Sequence, residues 1–171
     1  MKQLYKATLE SLEQTQALIK ACNDQQYVQI FEHASAGVGK HVRHILDHFS
    51  AVKEGLSSGV INYNMRARDS AVETDPLLAL GIIEEHLLWL SNAPNDDLAI
   101  KVESEISLTQ TSNVVLDSTL SRELCYLINH TIHHIAYATL GAKQLGITFE
   151  KELGLAPSTA TYLRTQASTT R

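Results

Sequence analysis

With 171 residues and 44% apolar content, the chain has material for one domain, residues 1–171, with a sizeable core. A formal charge of −5, a sequence pI near 5.9 and no basic stretch exclude a protein built to grip a phosphate backbone, so no nucleic-acid partner is expected. The N-terminal MKQLYKATLESLEQ lacks an apolar signal core and no long apolar run follows, so a cytoplasmic protein without a membrane partner is expected.

Apolar and small residues at 4, 9, 12, 18 and 19 predict a first long helix from Leu4 to about Cys22, closed by the polar break Asn23-Asp24-Gln25-Gln26. Ser35-Ala-Gly-Val-Gly39 combines flexible glycines with a capping serine, and a second long helix is expected from about Val38 to Leu56, stopping at Ser57-Ser58-Gly59. Val60 to Thr74 has little periodicity and reads as a long ordered loop. Thr74 or Asp75 caps a third helix that takes Pro76 in its first turn and runs to about Ser91.

From Leu98 to Leu116 the pattern alternates, with Ile100, Val102 and Ile106 set against Lys101, Glu103 and Glu105. This predicts a two-stranded antiparallel insert turning near Ser107 to Ser112. Asp117-Ser118 is expected to cap the fourth long helix, which continues to Leu145 and stops at Gly146. The tail, residues 149–171, suggests one docked helical turn around Tyr162-Leu163 and a polar, frayed end. Four long helices with apolar stripes and a hairpin insertion before the last amount to an all-α helical bundle. Cys22 and Cys125, far apart in apolar helical contexts and without CxxC spacing, read as reduced structural thiols.

Six of the eight histidines fall in two helical segments, His41-Val-Arg-His44-Ile-Leu-Asp-His48 and His130-Thr-Ile-His133-His134. Helical residues four apart share a face, so His44/His48 and His130/His134 can each aim two imidazoles at one point. Imidazole suits zinc, nickel, copper and ferrous iron, and a three-histidine set with an open position activates water or another small ligand. His133 is rotated about 100 degrees from His134 and cannot share its face. His33 and His86, each alone, read as ordinary partly buried or surface histidines. Glu123, two turns before His130, is the nearest general-base candidate; otherwise it is an exposed first-turn acid favoured by the helix dipole. Arg66 and Arg68 could pair with substrate carboxylates, or stand as solvated charges beside Asp69.

Val38-Gly39-Lys40-His41-Val42-Arg43-His44-Ile45, Asn129-His130-Thr131-Ile132-His133-His134 and the order of elements between them resemble the DinB-like superfamily of metal-binding four-helix bundles. That superfamily includes the bacillithiol and mycothiol S-transferases, and the resemblance covers most of residues 1–147. It implies a DinB/YfiT-like bundle of up-down-down-up topology holding a divalent transition metal, zinc, nickel or iron, on His44, His130 and His134. His41 and His48 are the rivals for the ligand from the second helix. His48, His133 and Tyr137 are then the candidates to handle protons or line the pocket. Where the family often has Gly-Gln after the last histidine, this chain has Ile135-Ala136, which alters the contacts around the ligands.

The implied reaction is transfer of a low-molecular-weight thiol to a small electrophile, the ion generating the thiolate. Metal-dependent hydrolysis, with water activated instead, is the alternative enzyme. A different class is a non-catalytic metal- or ligand-binding bundle. In any of these roles, exposed apolar stripes make a homodimer the expected partnership.

Overall fold

The apolar periodicity near the N-terminus forms α1 (Lys2–Lys20), after which Asn23 starts a second, short helix, α2 (Asp24–Val28). In the computed structural model, which describes residues 1–32, 34–150 and 152–169, the expected polar break is therefore itself helical. Its cause is a capping box: the Asn23 side chain accepts from Gln26 N–H, and the Gln26 side chain accepts from Asn23 N–H. His33 lies outside the described residues.

The histidine-bearing α3 (Val38–Ser58) begins at Gly37 without a side-chain cap, so the expected Ser35 cap is not made. It ends at Gly59, whose φ of 81° closes the last turn in the left-handed conformation. Gly39 is needed for room, not flexibility. A Cβ there would stand 2.1 Å from the carbonyl oxygen of Glu73, which lies in a 3-10 turn, Ala71–Glu73, packed on α3.

The segment expected as an unbroken loop contains that turn and a short strand, β1 (Val60–Asn62). After it, α4 (Pro76–Ser91) starts where Asp75 accepts from the N–H groups of Leu77 and Leu78. The alternating stretch forms β2 (Ala99–Glu105) and β3 (Asn113–Thr119), paired antiparallel with Val102 opposite Leu116. The insert is nonetheless three-stranded, because β1 adds in parallel to β2, with Ile61 opposite Val102. Three residues cannot display a period. The parallel pairing arises because α4 supplies the crossover between β1 and β2.

Asp117 and Ser118 belong to β3, and Thr119 caps α5 (Leu120–Gln144) by accepting from Arg122 N–H. Gly146, with φ of 76°, follows as expected. The tail departs from expectation. Leu153 is buried and Gly154 N–H donates to Gln14 Oε1, but α6 (Pro157–Thr169) is thirteen residues long and buries none of its side chains. Cys22 and Cys125 are free; Cys22 is half-buried, whereas Cys125 is exposed rather than part of the core.

Four long helices carry the core: α1 and α3 each pack against both α4 and α5. Leu12 and Leu18 of α1, Ile45 and Phe49 of α3, Ile83 of α4, and Leu124, Leu127 and Ile135 of α5 are fully enclosed. Each such side chain stabilises the fold by roughly 1.5–3 kcal/mol relative to exposure. Among the described residues no helix is long and apolar enough to cross a membrane.

His86 sits in this core, 2% exposed, with Nε2 3.4 Å from Ser50 Oγ and Nδ1 without a partner. Burial, with a smaller contribution from Lys53, lowers its pKa to about 4.

Two outcomes follow from this packing. Gly39→Ala lowers the urea midpoint, costing about 1–3 kcal/mol through overpacking against the Glu73 backbone. Gly81→Ala on α4, where an added Cβ meets nothing within 4 Å, instead stabilises by about 0.5–1 kcal/mol.

For His86, the unfolded chain binds a proton below about pH 6.5 that the folded chain refuses until about pH 4. The His86 contribution to stability is therefore flat above pH 7 and falls as the pH drops through this window. In metal-free protein, His86→Leu removes on the order of 1–2 kcal/mol of the loss between pH 7 and 5, read from urea unfolding at each pH.

Candidate metal centre

His41, His44 and His48 form one stripe on α3, and His130 and His134 form another on α5; the packing of these two helices brings the stripes together. The Nε2 atoms of His44 and His130 are 3.0 Å apart, and one ligand nitrogen from each of His44, His130 and His134 lies within 4.8 Å of the others. Nitrogens sharing a tetrahedral zinc at about 2.0–2.1 Å stand about 3.4 Å apart, so the donor set fits a divalent ion closely. No carboxylate joins this group among the described residues.

Electrostatics fits the same reading. Burial first, then mutual repulsion with the neighbouring histidines, lowers the pKa of His44 to about 2, of His130 to about 3 and of His134 to about 4. All three rings are neutral at physiological pH and present lone pairs, the form in which imidazole binds metal.

His48 also enters the cluster. Its ring lies 4.2 Å from that of His130 and 4.5 Å from that of His44. Its Nδ1–H donates to the His44 carbonyl at 3.0 Å, which leaves Nε2 as its bare nitrogen. Burial lowers its pKa and this hydrogen bond partly offsets the effect. His41 takes a different place: its Nδ1 meets Nδ1 of His134 at 3.1 Å, and its Nε2 is buried without a partner. One of the facing Nδ1 atoms must carry the proton. If His134 is the donor, its Nε2 is the nitrogen left for an ion.

His133 is exposed, with its ring 5.4 Å from that of His134. Tyr137 is half exposed, with its ring 5.2 Å from that of His41. Both stand at the outer edge of the cluster, whereas His48 stands inside it.

Glu123 is not the exposed first-turn acid expected. At 2% exposure it accepts from the Tyr63 hydroxyl at 2.6 Å and from Ser118 Oγ at 2.5 Å. It thereby braces Tyr63, whose ring stacks on His48 at 5.1 Å, while Tyr126 stacks on His130 at 5.2 Å. Burial raises the pKa of both tyrosines, so they are neutral walls. Tyr126 was discoverable, one turn before His130 on the same stripe. Tyr63 and Ser118 were not, because the sheet brings them there. From His48 a cavity of about 470 Å³ opens between β2, β3 and the segment after β1, with Tyr63, Tyr126, Arg66 and Arg68 in its lining.

The His41 contact generates a measurable expectation. Replacing His41 with phenylalanine keeps the bulk of the ring and its stacking on Phe31 but removes the partner of His134 Nδ1. Zinc affinity, measured by competition with a chromophoric chelator, falls about 10–100-fold while the helical circular dichroism is kept. An unchanged affinity would show that His41 is packing alone.

Residues 1–169 match the DinB family. FK506-binding protein 5 of Rhizopus delemar (strain RA 99-880 / ATCC MYA-4621 / FGSC 9543 / NRRL 43880) is 27% identical over 113 residues, covering 63% of this chain and 28% of that protein. The chain thus spans under a third of that relative's length. No solved structure matches at a significant level. A match running from the first residue to the end of α6, over a bundle whose two histidine helices converge, establishes that this chain belongs to the DinB family.

Proposed function

We propose that this chain is a metal-dependent enzyme that transfers a low-molecular-weight thiol to a small electrophile. Its divalent transition ion, zinc, nickel or iron, is held by His44, His130 and His134 on a bundle of up-down-down-up course. The observation that carries the reading is the convergence of three neutral imidazoles beside a cavity large enough for a small substrate. An ion held there lowers the pKa of a coordinated thiol or water towards neutrality.

The chain's own residues do the rest. His48, its Nδ1–H committed to the His44 carbonyl, has Nε2 free to take the thiol proton as the sulfur–carbon bond forms. It returns that proton to the leaving group, or to the acceptor atom in an addition. Tyr63 and Tyr126 cover the His48 and His130 rings and exclude water from that side. His133 and Tyr137, at the outer edge, exchange protons between the site and solvent. The chain works in the cytoplasm, where Cys22 and Cys125 stay reduced. It pairs with a second copy through the outer face of α4, where Leu77 and Leu88 are exposed.

Untagged protein carries about one equivalent of transition metal by elemental mass spectrometry, and the His130→Ala/His134→Ala variant carries none. Thiol consumption with a chromogenic aryl halide falls about 10²–10⁴-fold in His48→Gln with metal content unchanged. Failure to take up zinc, nickel or ferrous iron on reconstitution overturns the metal-dependent reading. Turnover of esters but not thiols replaces transfer with hydrolysis.

A further inference from the structure

The segment after β1 carries two arginines whose surroundings leave them without a structural task. Its backbone is anchored at several points. Asn64 Oδ1 accepts from Glu105 N–H at 2.7 Å, and Asn64 Nδ2 donates to Asn113 Oδ1 at 3.0 Å. Farther on, Ala67 N–H donates to Asp47 Oδ1 and Asp69 N–H to Glu73 Oε1, at 3.4 and 3.3 Å. Those two carboxylates are themselves paired with Arg43, Asp47 at 2.6 Å and Glu73 at 2.9 Å, and all three side chains are nearly buried. The flanking Arg66 and Arg68 are exposed, line the cavity that reaches His48, and form no ion pair among the described residues.

Of the acids nearby, the exposed Asp69 forms no ion pair with either arginine among the described residues. Asp47 and Glu73 belong to Arg43, and Glu105, in the same cavity wall, accepts from the N–H groups of Ser107 and Ser112 through Oε1. The anchoring hydrogen bonds hold the backbone on either side of Arg66, so both guanidinium groups are delivered to the cavity at little further cost in backbone freedom. Arg66 also acts at a distance on the cluster: its charge contributes to the lowered pKa values of His44, His48, His130 and His134. Planar guanidinium groups pair with carboxylates in a bidentate fork.

We infer that Arg66 and Arg68 form a carboxylate-recognition site at the mouth of the cavity, so that the substrate entering towards His48 is a small molecule bearing a carboxylate. The inference deepens the thiol-transfer reading by naming a feature of its substrate, but anion recognition itself needs neither the metal nor the thiol chemistry.

The experiment separates the two. Succinate is titrated calorimetrically into metal-free full-length chain at low salt, with the neutral diol butane-1,4-diol as control. Wild type binds succinate with a Kd on the order of a millimolar and does not bind the diol. The Arg66→Ala/Arg68→Ala variant binds succinate at least about tenfold more weakly, and Arg66→Lys/Arg68→Lys, which keeps the charge but loses the fork, lies between.

In metal-loaded protein, 3-mercaptopropionate has a KM about tenfold below that of 2-mercaptoethanol. The double alanine variant abolishes this preference, its KM for 3-mercaptopropionate rising to that for 2-mercaptoethanol measured in the same variant. Arginine-dependent succinate binding without thiol turnover upholds the carboxylate site and removes the thiol-transfer reading. Succinate binding that is absent in wild type, or equal in wild type and the double alanine variant, overturns the site whatever the turnover shows.

Discussion

Imidazoles packed together inside a helical bundle cannot share positive charge. Desolvation disfavours each imidazolium, and neighbouring rings a few ångströms away disfavour a second one more strongly. Here no carboxylate stands at ligand spacing among the described residues, so nothing compensates a proton on His44, His130 or His134. The neutral state is imposed by the packing of α3 on α5. Its chemical result is a set of inward lone pairs that have lost most of their basicity towards protons but keep their capacity to bind a metal. The rest of the site is arranged around that condition.

Two kinds of support hold the rings. Hydrogen bonds set individual nitrogens: the His44 carbonyl takes the His48 Nδ1–H, and His41 faces His134 through Nδ1 on both sides. Aromatic stacking sets planes, with Tyr63 over His48 and Tyr126 over His130. Tyr63 is in turn held by Glu123, a buried acid whose two oxygens accept from Tyr63 and Ser118. The small sheet therefore has a function in the bundle. β3 contributes Ser118, the segment just beyond β1 contributes Tyr63, and both converge on the first turn of α5. Arg43 does comparable work on the other flank by joining α3 to the 3-10 turn and, through Asp47 and Glu73, to the segment carrying Arg66 and Arg68.

Local rules were sufficient for much of the fold. The long helices were legible because their apolar residues repeat at helical spacing and their ends carry specific chemistry, as Asp75-Pro76 and Gly59 illustrate. The antiparallel pair was legible in the alternation around Val102. β1 was not, since Val60–Asn62 is too short to show a period and its partner comes after a helical crossover. The role of Gly39 is hidden from the sequence for the same reason: the atom that demands a missing side chain is the Glu73 carbonyl, over thirty residues away. The α5 cap is Thr119 rather than Asp117-Ser118, because those good capping residues are claimed by the β-ladder.

The site divides along the same line. Residue spacing by itself determined that His44 and His48, and His130 and His134, share helix faces, because helical geometry is local and depends only on sequence separation. It also determined that the chain is acidic and poor in basic clusters. Only the tertiary structure decided that His44 meets His130 at 3.0 Å, that His41 serves His134, and that His133 and Tyr137 stand at the margin. It likewise decided that Glu123 is a buried brace and that Arg66 and Arg68 face the cavity. These relations depend on how separate helices and strands are rotated and translated against one another. That arrangement is set by core packing summed over the whole molecule, and no short stretch of sequence contains it.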